Sequence, residues 1–311
     1  MPAALSHYFH SLEVLKRLNY KKINKEALVY GGQGPDFLYF HRLSPFQIGK
    51  SYRKVGNMLH KTDPDKTLSA MAEYLIHHPE DVAALSYALG FICHYSFDRT
   101  AHPYVYYTEK AIIASEKIKY NRLLVHCRIE HSLDVILLRK YLGLDSSQFN
   151  PAKILTDDAA MLLAQGKLIE YTVNTLYGDN SITEGVILKA FKDYKRNLTH
   201  LHDPFTIKRP LLNVLEKVLH IGPAVSCVIR PLMEDGKWDY ANMERGTWYN
   251  PFDPDRVSDD SFFEILEHAT KDSINMIEGF LKAVENKNSK ITVTEKLSFK
   301  TGLPIGASAD E

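Results

Sequence analysis

Apolar residues return every three or four positions along most of the chain, the period of a helix that hides one face. Phe9, Leu12, Leu15 and Leu18 form such a stripe over residues 8–18, and residues 66–78 read as a second helix. The stretch "HPEDVAALSYALGFICHYSFDRTAH" opens with Pro79, Glu80 and Asp81, residues suited to a first helical turn. It should run to about His102 and stop at Pro103. Residues 108–142 contain few breakers and predict one long helix ending at Gly143. Four more helices are expected in "DDAAMLLAQGKLIEYTVNTLY", "EGVILKAFKDYKRNL", "RPLLNVLEKVL" and "DSFFEILEHATKDSINMIEGFLKAVEN". Only "KITVTEKLSF" alternates as a strand does. The pattern predicts an all-α, multi-helix bundle with loops at 29–65, 143–156 and 231–260. A single helical domain is expected over 1–285, then an extension over 286–311 whose end, "TGLPIGASADE", is a loose tail.

Composition narrows the function classes. With 311 residues, 45% of them hydrophobic, the chain can bury a full core without staples. Lys plus Arg equal Asp plus Glu at 38 each, so no long-range field draws the protein to nucleic acid or anionic lipid. A polyanionic partner would have to be captured by a local patch. The cysteines, Cys93, Cys127 and Cys227, are odd in number and lack CxxC spacing, which argues against a disulfide framework or a thiolate zinc site. The start, "MPAALSHYFHSLEVLKRL", has no signal-peptide pattern, and nowhere do 18 apolar residues run together. The expectation is a cytoplasmic protein with no transmembrane segment.

The chemistry concentrates in "HYSFDRTAHPY". His94, Asp98 and His102 are spaced by four, so a helix projects all three from one side. In "HCRIEH", His126 and Glu130 repeat the spacing, with Asp134 one turn further. Upstream, "GGQGPDFLYF" offers Asp36, "GNMLH" offers His60, and His7 stands near the front of the first helix. A lone His-x-x-x-Asp pair is commonly just a hydrogen bond. These pairs, however, lie in apolar sequence, where an uncompensated charge is costly. A metal cation held between two helices supplies the compensation, and nitrogen and oxygen donors without thiolate suit catalytic zinc.

The ordered set His7, Gly-Pro-Asp ending at Asp36, His60, His94-x-x-x-Asp98-x-x-x-His102 and His126-x-x-x-Glu130 resembles the zinc-dependent phospholipase C family. That family has an all-α fold shared with single-strand-specific zinc nucleases. The resemblance covers about the first 140 residues and implies two or three zinc ions in one cleft between helices. Asp36, His60, His94 and Asp98 would hold one ion. His102, His126 and Glu130 would hold a second and leave a position for water. Asp98 would bridge toward a third ion also held by His7. Secreted members add their own N-terminal residue to the third site, whereas six residues precede His7 here, and the interval from Asp98 to His102 is shorter than theirs.

The implied activity is a zinc-dependent, phospholipase C-like hydrolysis of a phosphodiester by metal-bound hydroxide, on a small-molecule or lipid phosphate ester. Ions roughly 3.5–4 Å apart lower the pKa of a bridging water and grip the phosphate oxygens. Asp36 is the candidate to orient or deprotonate that water, or it serves only as a ligand. The alternatives are a zinc nuclease or phosphomonoesterase on the same centre, and a non-catalytic protein in which metal is a structural clasp.

Other signals carry less. "SPFQIGKS" has Ser44 and Pro45 where a phosphate-binding loop needs glycine. His202-Asp203 in "HLHDPF" suits a loop or helix cap. His131 points away from Glu130 toward second-layer contacts or solvent, and Asp134 is positioned to hold a ligand histidine by its free nitrogen. Cys93 and Cys127 face the core. The aromatics of "FLYFHR" and "HYSFDRTAHPYVYY" fill a core or line a cleft, and "WYNPFDPDRVSDDSFFEILEHA" is a turn-rich loop beside or over it.

Overall fold

The structure is a computed structural model and describes residues 4–43, 47–117, 122–220 and 225–307. Ser44 and Pro45 of the discounted phosphate-loop stretch, and the last four residues of the tail, lie outside the described residues. Ten helices and two short strands appear among the described residues, which makes the fold all-α. The helices are α1 (Ala4–Arg17), α2 (Lys25–Gly31), α3 (Arg53–Lys61), α4 (Pro64–His77), α5 (Val82–Glu116), α6 (Arg122–Leu142), α7 (Ala159–Tyr177), α8 (Glu184–Leu201), α9 (Lys208–Val218) and α10 (Phe262–Glu285).

Helix α5 is the axis of the molecule. Asp81 caps its first turn by accepting from the Ala84 N–H at 2.8 Å. Its sides are buried almost throughout, against α2, α10, α6 and α1. Contrary to the sequence expectation, α5 does not stop at Pro103 but continues to Glu116. A proline inside a helix costs about 3 kcal/mol. Here the turns beyond it bury Tyr104, Val105, Thr108 and Ile112, and the Tyr104 hydroxyl donates to the Tyr240 carbonyl at 2.9 Å. Burial at roughly 1.5–3 kcal/mol per large apolar side chain offsets the proline.

The expected single helix over 108–142 is two helices. Lys117 ends α5 in the left-handed conformation (φ 51°), and α6 returns alongside, joined by Arg122 to Glu109 (2.9 Å) and Arg128 to Glu116 (2.8 Å). The expected loop over 29–65 also contains structure: the end of α2, a 3-10 turn at Asp36–Phe40, and α3. Helix α2 crosses α5 at very close range. A Cβ on Gly31 would stand 2.1 Å from the Tyr87 carbonyl oxygen. Tyr194 and Asp193 of α8 then hold the segment after α2: the Tyr194 hydroxyl donates to Gln33 at 2.7 Å, and Asp193 accepts from the Arg42 N–H at 3.0 Å.

The C-terminal third departs most from expectation. "KITVTEKLSF" is no strand; the segment runs irregularly along α5 and is pinned by side chains. The Tyr95 hydroxyl and the Arg99 guanidinium donate to the Thr294 carbonyl at 3.0 and 2.8 Å, and Asp65 accepts from the Val293 and Thr294 N–H groups, both at 3.1 Å. The strands lie instead in the expected loop over 231–260: β1 (Trp248–Asn250) pairs antiparallel with β2 (Asp253–Ser258). The expected loose tail begins buried, at Thr301 and Leu303.

Candidate metal centre

Three helices, one short helix and one turn converge beside the middle of α5. Helix α1 brings His7, the 3-10 turn brings Asp36, α3 brings His60, α5 brings His94, Asp98 and His102, and α6 brings His126 and Glu130. Six of the eight are buried; His60 and His102 are partly open. Glycine makes the approach of Asp36 possible. Gly34 has φ +54°, and a Cβ there would stand 2.1 Å from Cδ2 of the His94 ring.

Two groups of side chains form. In the deeper one, His7 Nε2 lies 3.3 Å from Asp98 Oδ1, and His94 Nε2 lies 3.2 Å from Asp98 Oδ2. His60 Nε2 lies 3.3 Å from His94 Nε2 and 3.2 Å from Asp36 Oδ1. In the outer group, His126 Nε2 is 3.3 Å from Glu130 Oε1, and His102 joins them with all three donor atoms within 4.8 Å of one another. Zinc–ligand bonds of about 2.0–2.1 Å in a tetrahedron give ligand-to-ligand edges of about 3.3 Å. These five pairs stand near that edge, while His60 Nε2 lies 3.7 Å from Asp98 Oδ2 and each set of three donor atoms closes to within 4.8 Å.

Charge points the same way. Burial opposes ionisation of Asp98, but His94, His102 and His7 hold its carboxyl well below the usual range. Asp36 is likewise held low against burial, by His94 and His60. Ionised carboxylates thus face imidazoles in a largely buried site, while the buried Nδ1 atoms of His7 and His94 have no hydrogen-bond partner among the described residues.

Three of the histidines, His102 and His126 of the outer group and His60 of the deeper one, are oriented from behind. His102 Nδ1 donates to the Phe299 carbonyl at 2.8 Å, and His126 Nδ1 lies 3.1 Å from Glu109 Oε2. His60 Nδ1 donates to the Gly56 carbonyl at 2.8 Å. Because a carbonyl or carboxylate only accepts, each Nδ1 carries a proton, which leaves Nε2 as the atom a metal would take. The Nε2 atoms of His60 and His126 face Asp36 and Glu130 at 3.2 and 3.3 Å, and against burial these carboxylates raise the pKa of both imidazoles.

All eight positions lie within residues 3–183, over which the family model for zinc dependent phospholipase C matches. The chain belongs to the zinc-dependent phospholipase C family. The match spans more than half of the sequence, and no curated protein and no solved structure matches the chain. Membership in the zinc-dependent phospholipase C family supports a zinc phosphoesterase-type activity on a lipid or other phosphate ester, and the clusters suit zinc. Among the described residues no helix is long and apolar enough to cross a membrane.

The neighbours of the site match the sequence expectation in part. Asp134 holds no histidine: it accepts from the Leu5 and Ser6 N–H groups at the start of α1 (3.2 and 2.7 Å) and from Arg230 (2.8 Å), which anchors the helix carrying His7. Glu109 is the carboxylate that holds a ligand candidate. His131 is buried, its Nδ1 3.2 Å from the Cys227 carbonyl, rather than solvated. Asp203 caps α9, accepting from the Ile207 and Arg209 N–H groups at 3.1 and 3.0 Å. Cys93 and Cys127 are buried. The aromatics divide: Tyr39 and Tyr106 line the open cavity over the site, joined by Phe252 and Phe299, whereas Tyr95, Phe97 and Tyr104 are buried in the core. The cavity measures about 1170 Å³.

Proposed function

We propose that the protein hydrolyses a phosphodiester with two or three zinc ions at the floor of this cavity. The observation that carries the reading is the convergence of donor atoms within 4.8 Å in each group, with spacings of 3.2–3.3 Å, near the edge of a zinc tetrahedron, at four pairs of the deeper group and at His126–Glu130 of the outer one, beneath an opening large enough for a substrate. Asp36, His60, His94 and Asp98 are assigned to one ion, His102, His126 and Glu130 to a second, and His7 with Asp98 to a third. When bound there, zinc lowers the pKa of a coordinated water and neutralises charge on the phosphate oxygens.

The chain's own side chains do the rest. Asp36 lines the cavity and is kept ionised, so it can orient the water and take its proton. Glu109 and the Phe299 carbonyl keep the outer imidazoles in the ligating tautomer. With three protein donors, the outer group leaves room for substrate, which favours turnover over a purely structural clasp.

The test is hydrolysis of bis(4-nitrophenyl) phosphate by protein stripped with chelator and then reloaded with zinc. Activity should vanish on stripping and return on reloading, and Asp98→Ala and His126→Ala should each abolish it. Unchanged activity in both variants would overturn the mechanism, and bound zinc with no turnover on any phosphate ester would leave the clasp.

A further inference from the structure

Helix α9 is folded inside out. Leu211, Val214, Leu215 and Val218 recur at the spacing of a helical stripe, which in a globular protein packs on the core. Here all four are exposed, by 48–66%, and Phe205 and Ile207, which lead into the helix, by 78% and 62%. The side chain turned inward is that of Glu216, the one carboxylate of α9. It accepts from the Ser226 N–H at 3.0 Å, from the Val225 N–H at 2.5 Å and from the Ser226 hydroxyl. These bonds tie α9 to the 3-10 turn at Ser226–Val228, whose Cys227 carbonyl lies 3.2 Å from His131 Nδ1 on α6. A polar anchor thus fixes the helix to the body with its apolar stripe facing outward.

The charges flanking the stripe are cationic. At 100° per residue, Lys208 and Lys217 fall on either side of it and Glu216 falls opposite. Both lysines are exposed. Lys208 Nζ donates to the His200 and His202 carbonyls at 3.1 and 2.7 Å, acceptors that carry no net charge. An exposed apolar stripe edged by lysines suits a helix lying in the head-group layer of a bilayer, with apolar side chains among the acyl chains and ammonium groups against lipid phosphates. A second copy is less well matched. Two-fold pairing of α9 with itself joins the apolar faces but offers the flanking lysines no carboxylate on the facing helix.

We propose that α9, with Phe205 and Ile207, docks the protein on an anionic phospholipid surface. The docking stands on the residues of α9, and its use, presenting a lipid ester to the metal centre, rests on the phosphodiesterase reading. It is the local capture that a chain of zero net charge requires.

Co-sedimentation with vesicles tests it. Zinc-loaded protein should bind vesicles of phosphatidylcholine and phosphatidylglycerol in equal parts, and at least about fivefold more weakly those of phosphatidylcholine alone, since one lysine near an anionic surface supplies about that factor. Leu211→Gln/Val214→Gln/Val218→Gln should weaken binding at least about tenfold and leave hydrolysis of the soluble bis(4-nitrophenyl) phosphate at the wild-type rate. A wild type that does not bind the anionic vesicles, or a folded triple variant that binds as wild type does, overturns the proposal. So does a wild-type dimer in sedimentation equilibrium that the triple variant converts to monomer, because a second copy then covers the stripe. If the triple variant does not fold, Val214→Trp decides. Its emission should shift to the blue on the anionic vesicles relative to wild type, and an unshifted emission overturns the proposal. Vesicle binding without any bis(4-nitrophenyl) phosphate hydrolysis would refute the phosphodiesterase reading and uphold the docking.

Discussion

The deep and outer halves of the centre hold their imidazoles differently, with His60 the one deep imidazole held from behind, by the Gly56 carbonyl at 2.8 Å. In the deep half, His7 and His94 have buried Nδ1 atoms without partners among the described residues, and Asp98 lies within 3.3 Å of an imidazole nitrogen through each of its oxygens. In the outer half both imidazoles are pinned by acceptors behind them, Phe299 for His102 and Glu109 for His126. The deep half has more donors, crowded together in His–Asp pairs at 3.2–3.3 Å. The outer half has fewer donors, oriented in advance, and both halves open on the cavity.

Substitutions should separate the halves. Asp98→Ala should have the largest effect, because it removes the carboxylate shared between His7 and His94: a loss of at least one bound zinc and about a thousandfold or more in activity, read by metal analysis and steady-state kinetics. Glu109→Gln is the sharper instrument. It should weaken zinc at the outer group by about 10–100-fold while the deep group stays filled. Equal loss from both halves in a zinc titration would erase the distinction between them.

Smaller effects probe the scaffold. Gly34→Ala forces a side chain into a left-handed position against the His94 ring and should cost on the order of 1–3 kcal/mol in denaturant unfolding, along with deep-site zinc affinity. His10 gives the pH dependence. It stacks on Phe97 at 5.0 Å, and burial, helped by the neighbouring His7, lowers its pKa to about 3. Unfolded, it binds a proton near pH 6.5. Its contribution is therefore complete above pH 6.5 and declines as pH falls from there toward 3, by up to about 1.4 kcal/mol per pH unit. In chelator-treated protein, His10→Gln should flatten that part of the slope relative to wild type in urea melts.

The comparison of halves also explains what could be read in the sequence. His94, Asp98 and His102, and likewise His126 and Glu130, are visible because each set occupies one helical face, where spacing is chemistry. Glu109 had the same signal: it comes after His102 and Tyr106 at intervals of four and three, on that face of α5. Placing the helix end at Pro103 concealed it, since local propensity said nothing of the burial that carries α5 onward. His60 sits on a short helix with only Val55, Gly56 and Leu59 buried, too few positions to show a period. Phe299 acts through its backbone carbonyl on a residue 197 positions away, so it leaves no local pattern.

The most direct measurement is an anomalous difference map recorded at the zinc edge from crystals of zinc-loaded protein. Two or three peaks are predicted, at least one among His7, Asp36, His60, His94 and Asp98 and one among His102, His126 and Glu130. A map with no peak in either group, from crystals soaked in excess zinc, would contradict the metal centre and the chemistry derived from it.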